Sequence, residues 1–218
     1  MAGITTKATL ESAVEGWLKR TDLSANYDIW EQIAEEMFKA PVRSPQDAQV
    51  TGVRVSMTRA TGNLSTSNPY ISKPSDFLEP VAFRLTGDEQ RQLTWIAPDQ
   101  ISAAFRTGGG RPRLYTVNDV VHFDVVPDSA YAYEFTYQNS ATSIVGGSTS
   151  AANALLTAYP MVYLAAVMHV AHDYNGNVED ADRWLGRYKL AADSANRHFG
   201  EGLRTLGSIA SYTDYSNP

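Results

Sequence analysis

Tyr159-Pro160-Met161-Val162-Tyr163-Leu164-Ala165-Ala166-Val167-Met168-His169-Val170 is the most apolar stretch of the chain. Pro160 is tolerated in a first helical turn, where its missing N–H has no partner to lose, and Met161, Leu164, Ala165, Met168 and His172 then recur at helical spacing. The run is too short and too interrupted to span a bilayer, which needs roughly 20 apolar residues. It reads as the central helix of a water-soluble helical core. Asn175-Gly176-Asn177 ends it. Asn177 with Asp180 then resembles a capping box that opens a last helix carrying Trp184, Tyr188, Ala191, Ala195 and Phe199, with Gly200 and Gly202 expected to close it.

Upstream of the central helix, Asn139 to Ser150 is a Ser/Thr/Gly linker, and Thr149 or Ser150 is placed to cap a short helix over Ala151 to Ala158. The chain opens with two further helices. Leu10, Val14, Trp17 and Leu18 mark the first, capped by Thr5 or Thr6. Ile29, Trp30, Ile33, Met37 and Phe38 mark the second, which Pro41 stops. Trp17, Trp30, Leu164 and Trp184 are expected in one core.

Between these helices the pattern changes to short alternating runs rich in Val, Thr, Tyr and Phe, separated by turn residues. Strands are expected over Gln49 to Thr58, Val81 to Leu85, Leu93 to Ile96, Leu114 to Val117, Val120 to Val126 and Ala130 to Gln138. Asn118-Asp119 is a hairpin turn, and Pro98 to Phe105 holds one short helix. The fold class is therefore α+β: a helical bundle (1–48 and 140–202) interrupted by a small antiparallel β domain (49–139) and followed by an extended tail (203–218). The tail spaces Leu206, Ile209, Tyr212 and Tyr215 three apart, too little apolar surface to fold alone but suited to anchoring on a partner surface or a neighbouring copy.

The 218 residues hold no cysteine, which excludes disulfide frameworks, thiolate metal sites and cysteine nucleophiles. Met1 to Thr6 lacks the basic and apolar regions of a signal peptide. Net charge is −6, which argues against a protein built to grip phosphate backbones, while an acidic wall suits a channel through which DNA slides.

Candidate chemistry is sparse. His169, His172 and Asp173 place two imidazoles near a carboxylate, but no further ligand joins them, and a satisfied core His172 with a surface His169 is favoured over a metal-dependent enzyme. Gly108-Gly109-Gly110 with Arg111 and Arg113 offers N–H groups and guanidinium forks to a phosphate. Pro112 and a strand follow where a phosphate loop would open a helix, so a flexible hairpin loop is favoured, with contact to DNA through Arg111 and Arg113 as the lesser alternative. His122 and Asp124 share a strand face without any nucleophile at motif spacing. Glu35-Glu36 and Glu179-Asp180 read as a solvated face and a helix first turn.

The order of these pieces resembles the tailed-phage head-to-tail adaptor proteins. The similarity is carried by Ile29-Trp30-Glu31-Gln32-Ile33-Ala34-Glu35, by Lys73-Pro74-Ser75-Asp76-Phe77-Leu78, where Lys73 replaces the usual Leu, and by Gly110-Arg111-Pro112-Arg113-Leu114-Tyr115. Further matches are Phe123-Asp124-Val125-Val126-Pro127 with Tyr133-Glu134-Phe135-Thr136-Tyr137, Asn153-Ala154-Leu155-Leu156 with Tyr159 to Ala166, and the helix from Asp180 to Asn196. The resemblance implies a structural virion protein rather than an enzyme, with no cofactor. It implies a ring, usually of twelve copies, between the portal and a tail, stopper or tail-terminator protein, through which packaged DNA passes. It implies no membrane partner, synthesis in the host cytoplasm and residence at the head-tail junction.

Overall fold

The computed structural model describes residues 3–43, 49–87 and 91–210, of which 200–210 by backbone alone. The chain divides into two compact units, one made of 1–55 with 141–218 and one of 56–140.

The first unit is helical. Helix α1 (Lys7–Leu18) starts where the Thr6 hydroxyl accepts from the Thr9 amide while the Thr9 side chain returns the bond to the Thr6 amide. Helix α2 (Tyr27–Lys39) buries Tyr27, Trp30, Ala34, Met37 and Phe38 and leaves Ile29 and Ile33 exposed. Trp30, Met37 and Phe38 of the expected stripe are thus in the core, while Ala34 and Tyr27 take the places expected of Ile33 and Ile29. Trp17 is likewise outside the core, at 57 % exposure, whereas Trp30, Leu164 and Trp184 are in it.

The segment 49–56 forms no strand, so that of the strand expected over Gln49 to Thr58 only Met57 and Thr58 are found in one. Its backbone is held by the end of α2 instead. The Gly52 amide donates to Pro41 O at 3.0 Å and the Val53 amide to Phe38 O at 2.9 Å. The buried Arg54 guanidinium donates to Phe38 O at 3.2 Å and Ala40 O at 2.9 Å, satisfying carbonyls that a helix C-terminus leaves open. Gly52 is obligatory here, since a Cβ would lie 1.7 Å from Ala40 O.

The second half of the unit begins at the linker. Neither Thr149 nor Ser150 caps the short helix α4 (Ala154–Ala158); Asn153 does, its Oδ1 accepting from the Leu156 amide at 2.8 Å. Helix α5 (Pro160–Tyr174) is buried on nearly every side between Val162 and Ala171, as its continuous apolar composition requires, and exposes Met161 in its first turn and Asp173 and Tyr174 in its last. Asn177 caps helix α6 (Val178–Ala210), which buries Ala181, Trp184, Tyr188, Ala192 and Ala195. The helix passes Gly200 and Gly202 and continues to Ala210, so the expected tail begins inside it and both glycines lie in helical backbone. Residues 211–218 lie outside the described residues.

The second unit is a seven-stranded sheet in the order β1-β9-β3-β4-β6-β7-β2 with a separate β5-β8 pair. The strands are β1 (Met57–Asn63), β2 (Tyr70–Ser72), β3 (Phe77–Thr86), β4 (Arg91–Trp95), β5 (Gly109–Gly110), β6 (Leu114–Val117), β7 (Val120–Phe123), β8 (Val126–Pro127) and β9 (Ala132–Asn139), with helix α3 (Ile101–Ala104) between β4 and β5. The sheet is mainly antiparallel, but β4 pairs with β6 and β5 with β8 in parallel, because α3 and its flanking loops carry the chain back across. Pro80 cannot donate to the ladder, and β3 shifts register beside it. Phe83, Phe123, Phe135 and Tyr115 fill this unit's own core.

Candidate interaction surfaces

In the β unit, the expected Gly-Arg loop is a tightly fastened structure. Asp124, fully enclosed, accepts from the Arg113 amide at 2.9 Å and the Leu114 amide at 3.1 Å through one oxygen, and from Arg106 Nε at 3.0 Å through the other. Arg106 also reaches Arg111 O at 2.9 Å. Gly109 and Gly110 spend backbone groups on β8, and Gly108 turns at φ +89°. Arg111 lies over the Tyr131 ring at 5.4 Å, while Arg113 is exposed. The loop therefore presents one outward guanidinium rather than a nest of free amides.

His122 and Asp124 do not form an acid-base pair. His122 lies between two aromatic rings, 6.5 Å from Tyr70 and 6.2 Å from Phe105, both rings more than a third exposed. Asp124 is committed to the loop.

In the helical unit, His169 Nδ1 bonds Ala181 O at 2.9 Å, which ties α5 to the start of α6. Its partner in sequence, His172, is half-buried beside Trp17, Met168 and Trp184. Among the described residues no group of three or more His, Asp or Glu is placed to hold a metal ion.

The paired carboxylates divide as well. Glu179 and Asp180 hold Arg183 in the first turn of α6, and Glu36 pairs with Lys39 on the surface. Glu35 points inward. Its Oε1 accepts from the Ile144 amide at 2.9 Å and the Tyr163 hydroxyl at 3.1 Å, and Asn153 Nδ2 donates to Tyr163 Oη at 2.7 Å and Thr142 O at 2.6 Å. Burial and the Glu35 charge both push the Tyr163 hydroxyl far up. The Gly/Ser linker is thus laced onto α2 and α5.

A second polar cluster joins α1 to α2. Lys7 contacts Asp28, lies 3.2 Å from Glu31 and 3.9 Å from Glu11. Burial raises Glu31 to about 7 against the pull of Lys7. Burial works against the Lys7 charge too, yet the Asp28 bond and the Glu31 charge hold its pKa above the usual value. Sequence reasoning missed both clusters. The available signal was position: Lys7 precedes Leu10 by three and Glu31 falls between Trp30 and Ala34, charges sitting on apolar stripes.

The exposed large apolar side chains are unevenly distributed. Trp17 meets Trp184 edge to face at 5.3 Å, and the Arg187 guanidinium lies 4.3 Å over Trp184 and 5.9 Å from Trp17. Leu190 is 64 %, Ile29 54 % and Ile33 46 % exposed. An open groove of about 720 Å³ runs beside α1 from Ile4 past Gly16 to Trp17 and Lys19. Leu206 and Ile209 fall in the α6 backbone, but their side chains and the whole of Tyr212 and Tyr215 lie outside the described residues.

No helix among the described residues is long and apolar enough to cross a membrane. A search of curated proteins finds no match to this chain. The family profile described as SU10 adaptor protein matches residues 5–211, nearly the whole chain, so it belongs to that family of phage head-to-tail adaptors.

Proposed function

We propose that this protein is a structural component of the phage particle, an adaptor ring seated between the portal and a tail-side protein, with packaged DNA passing through its centre. The observation that carries this reading is the family match across 5–211. The surfaces support it: large apolar side chains stand outward on rigid helices, as partner-binding faces require. With twelve copies the ring carries −72, from −6 each, and a channel side that is acidic or neutral lets DNA slide rather than adhere.

In this reading the segment from Leu203 to Pro218 is the portal anchor, with Leu206, Ile209, Tyr212 and Tyr215 as the contact residues at a spacing of three. The exposed Arg113, with Arg111 behind it, marks the side that meets the tail protein or the passing DNA. The alternative of a dedicated DNA-binding module is less well supported, because Arg106 is committed to Asp124 and Arg111 lies over Tyr131.

Deletion of Ser208 to Pro218 tests the reading. Full-length protein should co-sediment with portal-bearing heads, and the truncated chain should keep its melting temperature but fail to join them. Equal attachment of both forms would remove the tail from the account, and attachment of neither would remove the portal.

A further inference from the structure

We infer that the outward face of α2 in one copy seats against the Trp17–Arg187 face of a second copy, giving a head-to-tail contact between adaptor subunits. The inference rests on the ring reading above for its occupant, a second copy of this chain.

The plug is a second stripe on α2. Ile29, Gln32, Ile33 and Glu36 recur at spacings of three, one and three, so they share one face, and all four are exposed while the opposite stripe makes the core. The fold does not use these isoleucines. Two branched apolar side chains one turn apart, with a carboxylate on the next turn, are recognition chemistry for an apolar surface carrying a cation.

The socket supplies that surface. Arg183, Arg187, Leu190 and Ser194 follow one another at spacings of four, three and four along α6, and all are exposed. Arg187 spans Trp184 and Trp17 and has no carboxylate partner among the described residues. Leu190 stands beyond it, and Gly186 has open space where a side chain would be. Charge complementarity selects the occupant: Glu36 of α2, whose bond to Lys39 is an exposed surface pair, is shared with the face where Arg187 lacks a counter-charge, while Arg183 stays with Glu179 and Asp180, and Ile29 and Ile33 cover Leu190 and Trp17. The two faces share no residue. The contact is therefore heterologous, the type that builds a ring when its rotation closes about an axis, as the ring reading requires.

The absence of cysteine makes the test clean. Ile33→Cys and Leu190→Cys proteins are mixed with portal, oxidised, and resolved by denaturing electrophoresis, with electron microscopy of the same sample. Mixed single variants should form disulfide dimers, neither variant should do so alone, and the double variant should give a ladder of multimers. Glu36→Arg should reduce assembly at least tenfold, and Arg187→Glu in the same chain should restore most of it. Rings on the portal without cross-links, and unaffected by Glu36→Arg, would overturn this contact and leave the ring reading standing. Cross-linking of the Ile33→Cys variant to portal would also overturn it. No assembly of the wild-type chain would sink both.

Discussion

Lys7 and Glu31 face each other at 3.2 Å with side chains only 7 % and 1 % exposed, an ion pair enclosed between the first two helices. Such a pair is worth little beyond an apolar substitute, but removing one partner strands a buried charge. Lys7→Ala should therefore cost about 3 to 5 kcal/mol at pH 8. At pH 5, where Glu31 takes up a proton, the loss should shrink to about 1 to 3 kcal/mol. Equal losses at the two pH values in denaturant melts would contradict the placement.

The same carboxylate sets a pH dependence. Glu31 rises from 4.5 in the unfolded chain to about 7 when folded, so the folded state binds its proton more tightly. Its contribution is fully present below pH 4.5 and is lost as pH rises through about 7. Lys7, also raised, loses its contribution only at still higher pH. Glu31→Gln should flatten the stability profile between those two values, as read by the urea midpoint at a series of pH values.

Gly52 tests the fastening of the 49–55 segment. A methyl group there collides with Ala40 O, so Gly52→Ala should destabilise by about 2 to 3 kcal/mol or more. Hydrogen exchange should accelerate at Val53, whose amide donates to Phe38 O. An unchanged melting temperature would mean that the segment does not pack this way.

Trp184→Ala should cost about 3 to 5 kcal/mol, since its ring is almost fully buried. Trp17→Ala should cost only about 1 kcal/mol, mainly the edge-to-face contact with Trp184. Comparable losses would place Trp17 in the core after all.

Much of this architecture is readable in the residues, and the failures have local causes. The helices around Leu10, Trp30, Leu164 and Trp184 follow from spacing, and β6 was delimited because Leu114 to Val117 is bounded by Pro112 and Asn118-Asp119. The segment 49–55 looked like a strand because Val50, Val53 and Val55 are β-branched, yet Gly52 and Arg54 lock it onto a helix end. Periodicity does not report such caps. Gly200 and Gly202 looked like a stop, but glycine ends a helix only where the chain turns left-handed, and here it continues. The interior polar clusters were hard to read because Glu35 resembles an ordinary surface residue, and Lys7 and Glu31 betray themselves only by their places on apolar stripes, until partners distant in sequence are brought beside them. Candidate surfaces were least legible. Exposure of Ile29, Ile33 and Trp17 depends on which of two apolar stripes the core accepts.

Asp124 is the side-chain acceptor for the Arg113 and Leu114 amides in the loop that carries Arg111 and Arg113. Asp124→Ala leaves the Arg113 and Leu114 amides without acceptors and should cost about 3 kcal/mol, while Asp124→Asn, which keeps one accepting oxygen, should cost about half of that. Amide exchange at Arg113 and Leu114 should rise in both. If those amides stay protected in the alanine variant, another group holds the loop.

The most direct measurement of the central claim is single-particle electron microscopy of the full chain mixed with its portal. The account predicts a closed ring, one copy deep, seated coaxially on the portal with an open centre wide enough for duplex DNA. Portal particles that carry no added ring at saturating protein, or protein bound only at scattered sites away from the portal axis, would contradict it.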